Sequence, residues 1–238
     1  MKNIVLLVIF VLGIVLFQYI QSHSVDEIIR KYLDARGGKQ KLNAIRSVYM
    51  EGSRRMMETE LPVKVTIVQD KLFRSDFEFN HSQGYSIVTP TEGWSYIPTR
   101  SINPEPIPAD RISTMQLQLD IAGPMLDYKA KGHKVELQGK EIIDGKESYK
   151  IKMTLNNNKE ILYYIDKETS LLIQVKQVNA DDASQEIITN YSDYKLFDGV
   201  MFPQIVSNPA DGIMNGTTIF NKIIINHPVD ESMYKPSA

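Results

Sequence analysis

The stretch EIIDGKESYKIKMTL, residues 141–155, decides the fold class because its side chains alternate between apolar and polar types. Asp144 and Gly145 are the residues of a tight hairpin turn, with alternation on both sides of it. The apolar face after the turn holds Tyr149, Ile151, Met153 and Leu155, and the opposite face holds Lys150, Lys152 and Thr154. A period of two predicts a β-hairpin with one buried and one solvated face. The buried face must cover something.

The composition describes an ordinary globular protein. The chain has 238 residues, of which 42% are hydrophobic and 24% charged, and its net charge is −2. This length is enough for a single large core. Because both signs of charge are dispersed along the chain, nothing in the sequence indicates a nucleic-acid partner. We expect a monomer.

The N-terminus is organised as a secretory signal. Lys2 precedes an apolar run over residues 4–17, and polar residues follow. That run is shorter than the roughly 20 residues of a membrane-spanning helix. We therefore predict a signal peptide at 1–24 and a single exported domain at 25–238. Cleavage after Ser22 and cleavage after Ser24 both remain open, and an uncleaved anchor extended through Tyr19 and Ile20 is the alternative.

The chain contains no cysteine, which removes disulfides, thiolate metal sites, a lipid-modified N-terminal cysteine and cysteine-based catalysis from consideration. Its four histidines are His23, His81, His133 and His227, and none has a partner at metal-ligand spacing. No serine lies in a G-x-S-x-G motif. The adjacent carboxylates Asp181 and Asp182 are typical of a solvated hairpin tip. We expect no metal, no cofactor and no catalytic residue.

Two helices are predicted at the start of the exported domain. Apolar residues recur at helical spacing from Val25 to Leu33, and Gly37 and Gly38 follow as a stop signal. A shorter helix is predicted over residues 39–45. From Ser47 onward the period changes to two, as in residues 72–79. About ten or eleven short antiparallel strands in series predict a sheet that must curl to protect its edges.

One proline-rich segment interrupts the strands. Residues 101–128 carry four prolines and then apolar residues at helical spacing, with Asp110 as the predicted cap and Gly123-Pro124 as the stop. We interpret this segment as a helical insert that lies across the sheet. Two methionines near its end suit a surface that repacks around alkyl chains, although ordinary core packing explains them equally.

The order of these segments resembles the LolA-like family of outer-membrane lipoprotein-sorting proteins from Gram-negative bacteria. The matching stretches are GGKQKLNAIRSVYMEG at 37–52, EGWSYIP from Glu92, GPMLDYKAKGHKVELQGKEIIDGKESYKIKMTL from Gly123, YYIDKETSLL from Tyr163, YSDYKLFDGVMFP from Tyr191 and HPVDESMYKP from His227. The resemblance covers nearly the whole of residues 25–238, and the block from Gly123 is its most specific part.

This resemblance implies a mainly β (α+β) fold: a curved, incomplete antiparallel β-barrel covered by a helical lid. It also implies an apolar cavity that holds acyl chains of lipids or lipoproteins during transit through the periplasm. The residues expected to line the cavity or the lid are Phe77, Phe79, Trp94, Tyr96, Ile112, Met115, Leu119, Met125, Leu126, Tyr149, Ile151 and Met153. For Trp94, cavity wall and core filler are equally favoured.

Three functions follow from these observations, in order of preference. The first is carriage or binding of a lipid or lipoprotein acyl chain, with envelope membrane proteins as further partners. The second is an interaction or sensor module of the cell envelope that uses the same fold without cargo. The third is a lipid-modifying enzyme, which rests on the cavity alone because no residue supports it. The lysines at 129, 131 and 134, with His133, suit lipid head groups, but a solvated loop is the more common use of such a stretch.

Overall fold

The structure is a computed structural model that describes residues 24–56, 58–79, 81–178, 185–209 and 216–236. The predicted signal peptide falls on residues outside these ranges, apart from Ser24, and so do Asp181 and Asp182. Within the described ranges, no helix combines the length and the apolar character needed to cross a membrane.

The described residues form one antiparallel sheet of 13 strands. The strands are β1 (Ser47–Met56), β2 (Thr59–Val68), β3 (Leu72–Phe79), β4 (Ser82–Val88), β5 (Gly93–Tyr96), β6 (Glu105–Pro106), β7 (Lys134–Ile143), β8 (Lys146–Thr154), β9 (Glu160–Asp166), β10 (Leu172–Val178), β11 (Glu186–Phe197), β12 (Val200–Asn208) and β13 (Gly216–Ile225). The sequence predicted ten or eleven strands. The prediction fell short because β5 and β6 have four and two residues, too few to show alternation.

The sheet consists of two meanders joined at one seam. Strands β1 to β6 run outward in one direction and β13 to β7 in the other, and β1 pairs with β13 between them. The free edges are therefore β6 and β7, and the sheet is not closed. The connection 107–133 links one edge to the other. The ends of the sheet are thus tied together by chain that is not part of it.

The hairpin that opened the sequence analysis is confirmed as β7 and β8. Its turn residues Asp144 and Gly145 have φ of 48° and 78°, the pair of positive values that a two-residue hairpin turn requires. Lys146 pairs with Ile143 next to the turn, and Tyr149 pairs with Ile165 of β9 on the other side. The register therefore keeps the apolar residues of β8 and β9 on one face.

Few helices accompany the sheet. Helix α1 covers residues 24–35, α2 is Lys39–Ala44 and α3 is Ala109–Met115, which continues into a 3-10 turn, Gln116–Leu119. A second 3-10 turn, Glu231–Tyr234, lies near the C-terminus. The N-cap of α3 is Pro108, so Asp110 lies in the first turn rather than at the predicted cap position.

The glycine that follows α1 is required by a close approach. A Cβ atom on Gly37 would lie 2.4 Å from the carbonyl oxygen of Gly199, and the φ of Gly37 is +122°. The backbone amide of Met201 donates to the carbonyl of Arg36 at 2.9 Å. The end of α1 is thereby fixed against the hairpin between β11 and β12.

The two faces of the sheet have different cores. We call the face that α1 covers the inner face and the opposite one the outer face. The inner face carries two apolar clusters, described below. The outer face carries a smaller cluster at β3 to β5, which includes Leu72, Tyr85 and Ile87 and is covered by Met233 and Tyr234 from the C-terminal turn.

Candidate functional site

The apolar face of β8 covers helix α1. Ile151 and Met153 are 0% exposed and pack in one cluster with the apolar stripe of α1, which includes Ile29 and Tyr32. The remaining members of this first cluster are Val25, Ile28, Met125, Leu155, Ile161, Tyr163, Ile165 and Leu172, with Tyr149 and Tyr191 packed at its margin. Removal of apolar surface from water stabilises a fold by about 25 cal/mol per Å². The apolar packing of α1 is therefore its main contribution to the stability of the protein.

A second apolar cluster lies under the other half of the sheet. It combines Leu42 of α2 with inner-face residues of β1, β2, β12 and β13, namely Val48, Val63, Val65, Val200, Phe202, Phe220 and Ile223. Leu33 of α1 packs against both clusters. The helix therefore lies where the two halves of the inner face meet.

The connection 107–133 also spans both clusters. Leu117 and Met125 pack in the first cluster, while Ile121 and Leu126 pack in the second. The turn between β2 and β3 holds this segment, because the amide of Ile121 donates to the side-chain oxygen of Gln69 at 2.9 Å. The inner face is thus covered by short, non-strand elements, which rest on it by apolar contact.

Arg36, at the end of α1, is a buried cation in this interior. It is only 7% exposed. Nη1 donates to the carbonyl oxygen of Ala122 at 2.7 Å and to the Tyr32 hydroxyl at 3.3 Å, and Nη2 donates to the carbonyl oxygen of Ile121 at 3.5 Å. Its guanidinium carbon lies 5.8 Å from the centre of the Phe202 ring. Arg36 therefore ties α1 to the connection 107–133.

The charge of Arg36 has no carboxylate partner among the side chains that the structure describes. Asp120 acts on it electrostatically but is itself paired with Lys131 at 2.6 Å. Burial disfavours the charge of Arg36, yet Tyr32 and other neighbours leave the pKa of Arg36 raised. The guanidinium therefore stays charged in an apolar interior, where an arginine without a carboxylate is uncommon.

Tyrosines surround this cation. Burial raises the pKa of Tyr163 well above its usual value and raises the pKa of Tyr191 to about 12, with Tyr32 contributing to both shifts. Burial also raises the pKa of Tyr194, whose hydroxyl donates to the carbonyl of Leu172 at 2.7 Å. Tyr191 and Tyr194 nevertheless keep accessible surface. Both side chains are therefore desolvated without being fully closed off from solvent.

The structure brings most of the sequence-predicted residues to the inner side of the sheet. Tyr149, Ile151, Met153 and Met125 belong to the first cluster and Leu126 to the second. Phe77 is half-buried on the inner face because it pairs with Val63, and Phe79 lies two residues further along the same face. Ile112 and Leu119 are buried and Met115 is half-buried in the connection 107–133.

Trp94 and Tyr96 are separated from that group. Tyr96 pairs with Tyr85 and Trp94 pairs with Ile87, so the register places both on the outer face. The rings of Tyr85 and Tyr96 lie 5.6 Å apart, and Val229 and Tyr234 pack over this cluster. The resemblance had placed these two aromatic residues together with Phe77 among the expected cavity or lid residues. The pairing register, which the sequence did not show, decides the face.

The basic residues before β7 have structural partners. Lys129 pairs with Asp26 of α1 at 2.8 Å, and Lys131 pairs with Asp120. The Nδ1 atom of His133 accepts a hydrogen bond from the amide of Asn156 at 3.2 Å. Among the described residues, no group of three or more histidine, cysteine and acidic side chains could hold a metal ion.

Sequence reasoning missed Arg36 and the tyrosines around it. Arg36 directly precedes two glycines and received no role from the sequence. Its spacing held a usable signal, because Arg36 follows Tyr32 by four residues and so continues the buried stripe of α1. Tyr163 and Tyr191 lie in different strands, and only the order of strands in the sheet brings them together.

Comparison with known proteins supports the fold rather than a relationship in sequence. No protein-family model and no curated protein matches the sequence. A LolA superfamily protein from Nitrosomonas europaea superposes with a TM-score of 0.55 at 12% identity, covering 89% of this chain and 97% of that one. A DUF1329 family protein from Desulfovibrio piger gives a TM-score of 0.54 at 14% identity, covering 86% and 95%.

A third similar structure carries a functional description. It is a domain from Vibrio parahaemolyticus described as an outer membrane lipoprotein-sorting protein, with a TM-score of 0.54, 11% identity and coverage of 87% of this chain and 94% of that one. At such low identity these matches show a shared fold. They establish that the fold of this chain is LolA-like, as the sequence resemblance predicted.

Proposed function

We propose that this chain, which has a LolA-like fold, binds and carries the acyl chains of a lipid or lipoprotein in the cell envelope. The observation that carries the proposal is the inner face of the sheet. Two apolar clusters there are covered by α1, α2 and the connection 107–133, none of which is a strand of the sheet. An apolar face covered by separate short elements is a surface from which the cover can be displaced by alkyl chains.

The connection 107–133 is the proposed entry element. It crosses both clusters, and its hydrogen bonds to neighbouring elements include those with the Gln69 side chain and with Arg36 at the end of α1, and one from the Asp70 amide to the Leu119 carbonyl oxygen. Met125 is buried in this segment, and its unbranched thioether side chain adapts to ligands of different shape. Opening this segment would uncover Leu126 and Met125 together with the inner faces of β8 and β2.

The free energy of burying an alkyl chain limits how the cargo can be held. Each buried methylene contributes about 0.8 kcal/mol, so a fully buried chain of roughly 16 carbons contributes about 12 kcal/mol before the costs of association. Two such chains would exceed the ceiling of roughly 20 kcal/mol for non-covalent affinity. A carrier that releases its cargo must therefore bury the chains incompletely or change its cover at delivery.

We further propose that the chain acts in the periplasm after export through residues 1–24 as a signal peptide. Residues 25–238 would then work as one lipid-binding domain, without covalent catalysis and as a monomer. The twelve residues named from the sequence remain proposed ligand contacts, and seven of them lie on the inner face or in its two clusters. Trp94 and Tyr96 would contact cargo only if it also reached the outer face.

A second function is favoured by the packing of the first cluster. Ile151 and Met153 are completely buried in a cluster with the protein's own helix α1, so this part of the inner face is filled without cargo. The same fold could then serve as an interaction or sensor module that presents its surface to an envelope protein. The experiment below separates these two functions.

The test is to purify the full chain from a bacterial envelope and to analyse it by native mass spectrometry and by lipid analysis of a solvent extract. Stoichiometric acyl lipid supports the carrier and gives the class of its cargo. Protein that is free of lipid and takes up no fluorescent fatty acid overturns the carrier and favours the interaction module.

A further inference from the structure

The interior holds more polar chemistry than an alkyl chain needs. The first cluster is mostly apolar, but Tyr32 and Tyr163 belong to it and Tyr191 packs against it, and the Tyr32 hydroxyl contacts Arg36. Among the described residues, the hydroxyls of Tyr163 and Tyr191 have no hydrogen-bond partner. Both hydroxyl oxygens keep some accessible surface, since in the described part of the chain Gln174 Oε1 is the one fully buried side-chain N or O atom without a partner. This end of the interior is therefore suited to a polar group.

The cation is incompletely satisfied as well. A guanidinium has five N–H donors. Arg36 uses Nη1 twice and Nη2 once, the last at a distance of 3.5 Å, and within the described part of the chain Nε makes no hydrogen bond. Since no described carboxylate pairs with it, both its charge and part of its donor capacity are available to an anion.

We propose that Arg36, with the hydroxyls of Tyr32 and Tyr191, forms a subsite for the oxyanion head of an acyl-chain ligand, a carboxylate or a phosphate. The proposal rests on the lipid-binding function and specifies the ligand as anionic at one end. The alkyl chain would extend from this subsite along the first cluster toward β8. A guanidinium beside hydroxyl donors is the usual protein environment of a buried oxyanion.

The alternative role of Arg36 is structural, because it ties α1 to the carbonyl oxygens of Ala122 and Ile121. A purely structural arginine would affect every ligand equally through the stability of the interior. An oxyanion subsite instead discriminates between ligands that share an alkyl chain and differ in the charge of the head. The experiment therefore compares heads on a constant chain.

Binding of dodecanoate, dodecyl phosphate and dodecanol to the full chain is measured by calorimetry at pH 8. We expect at least one of the two anions to bind about tenfold or more tightly than dodecanol, as a charge-assisted hydrogen bond implies. The tighter of the two anions identifies the head as carboxylate or phosphate. Equal affinity for all three ligands overturns the subsite and leaves the carrier function standing, whereas no binding of any ligand overturns both.

Three variants assign the effect to residues. Tyr191→Phe keeps the ring and removes the hydroxyl, and it should weaken anion binding about threefold to tenfold while dodecanol is unaffected. Arg36→Lys keeps the charge but loses the planar fork, and it should reduce the preference for anions further. Arg30→Lys, on the exposed side of the same helix, is the matched control and should change nothing. If Tyr191→Phe and Arg36→Lys leave the preference for anions intact, these residues do not form the subsite.

Discussion

At the scale of single residues, the space that neighbouring strands leave decides which side chain a position can hold. Gly84 pairs with Phe77 on the inner face, and a Cβ atom there would lie 2.4 Å from the Phe77 ring and 2.8 Å from the carbonyl oxygen of Tyr96. The ring can rotate or shift, but the backbone carbonyl of β5 is fixed by pairing with β4. Gly84 is therefore a position where glycine is needed for close approach.

We predict that Gly84→Ala lowers the free energy of unfolding by about 1–3 kcal/mol, the usual cost of overpacking. Urea denaturation of the full chain measures it. Gly145→Ala is not a suitable control because of its positive φ, whereas Ser95→Ala, on the neighbouring strand, adds no atoms and should be nearly neutral. A Gly84→Ala variant as stable as the native protein would show that β4 and β5 separate more easily than their register indicates.

His133 gives a pH-dependent contribution to stability. Burial and the nearby Lys131 lower the pKa of His133 below its usual 6.5, against an opposing effect of Asp120. Its Nδ1 accepts from the amide of Asn156, which a protonated ring cannot do. Because the folded-state pKa is depressed, the contribution of His133 is complete above pH 6.5 and is lost as the pH falls through the lower, folded-state value.

The expected outcome is that the native chain loses stability between pH 7 and pH 5, and that His133→Gln loses less over the same interval. Thermal unfolding at both pH values measures the difference. An NMR titration of the His133 ring is the direct check, and a pKa at or above 6.5 contradicts the prediction.

At the scale of secondary-structure elements, the strand β8 is the clearest test of the packing. Met153 lies on its inner face and is 0% exposed, whereas Lys152 lies on its outer face and pairs with Glu160 at 3.1 Å. The two neighbouring residues therefore experience opposite environments on one strand. A shift of one residue in register would exchange them.

We predict that Met153→Ala costs about 2–5 kcal/mol of unfolding free energy, from lost burial and the cavity left against α1. Lys152→Ala should cost about 0–1 kcal/mol, because an exposed ion pair contributes little. Urea denaturation of both variants gives the comparison. Similar costs for the two substitutions would mean that the inner and outer faces of β8 have been assigned incorrectly.

The elements also show what the sequence could predict. The hairpin at Asp144-Gly145, helix α1 and the insert with helical spacing were all predicted, because each has a local signal in turn chemistry or periodicity. The predicted number of strands was too low because β5 and β6 are too short for periodicity. The sequence could not show that Trp94 and Tyr96 lie on the outer face, because a strand's face depends on which strand pairs with it, and pairing is not local.

The candidate site was predictable only in its apolar part. Ile151 and Met153 lie in a stretch where apolar and polar residues alternate, and this alternation predicted that they are buried. Arg36 and Tyr191 are 155 positions apart in the chain and come together because α1 packs on the inner face of the sheet, which no local pattern records. Arginine is also mostly exposed in proteins, so the residue type alone predicts that Arg36 lies at the surface.

At the scale of the whole molecule, the two halves of the sheet and its two free edges determine how the interior can open. The seam between β1 and β13 joins the halves by backbone pairing, including Val48 with Ile225. The edges β6 and β7 are joined only through the connection 107–133. Opening at the connection breaks side-chain contacts and isolated backbone hydrogen bonds such as that from Asp70 to Leu119, whereas opening at the seam breaks a continuous strand ladder. The connection is therefore the lower-cost route for cargo.

A reversible lock tests this route. The chain has no cysteine, so Gln69→Cys with Ile121→Cys introduces one unambiguous disulfide between the β2–β3 turn and the connection. The 2.9 Å hydrogen bond from the Ile121 amide to the Gln69 side chain shows that the two residues are neighbours, and mass spectrometry verifies that the disulfide has formed before release is measured. The reduced form of the same variant is its own control for the loss of both native side chains.

We predict that oxidation slows the release of a bound fluorescent fatty acid at least tenfold and that reduction restores the rate. A second lock, Glu136→Cys with Lys152→Cys, joins register partners on the outer face of β7 and β8 and should leave release unchanged. Equal rates in the oxidised and reduced forms of the first lock would place the route elsewhere, at the seam or beside α1. Slow release in both locks would instead show that any cross-link stiffens the sheet, and that the whole sheet, rather than the connection, must flex for cargo to leave.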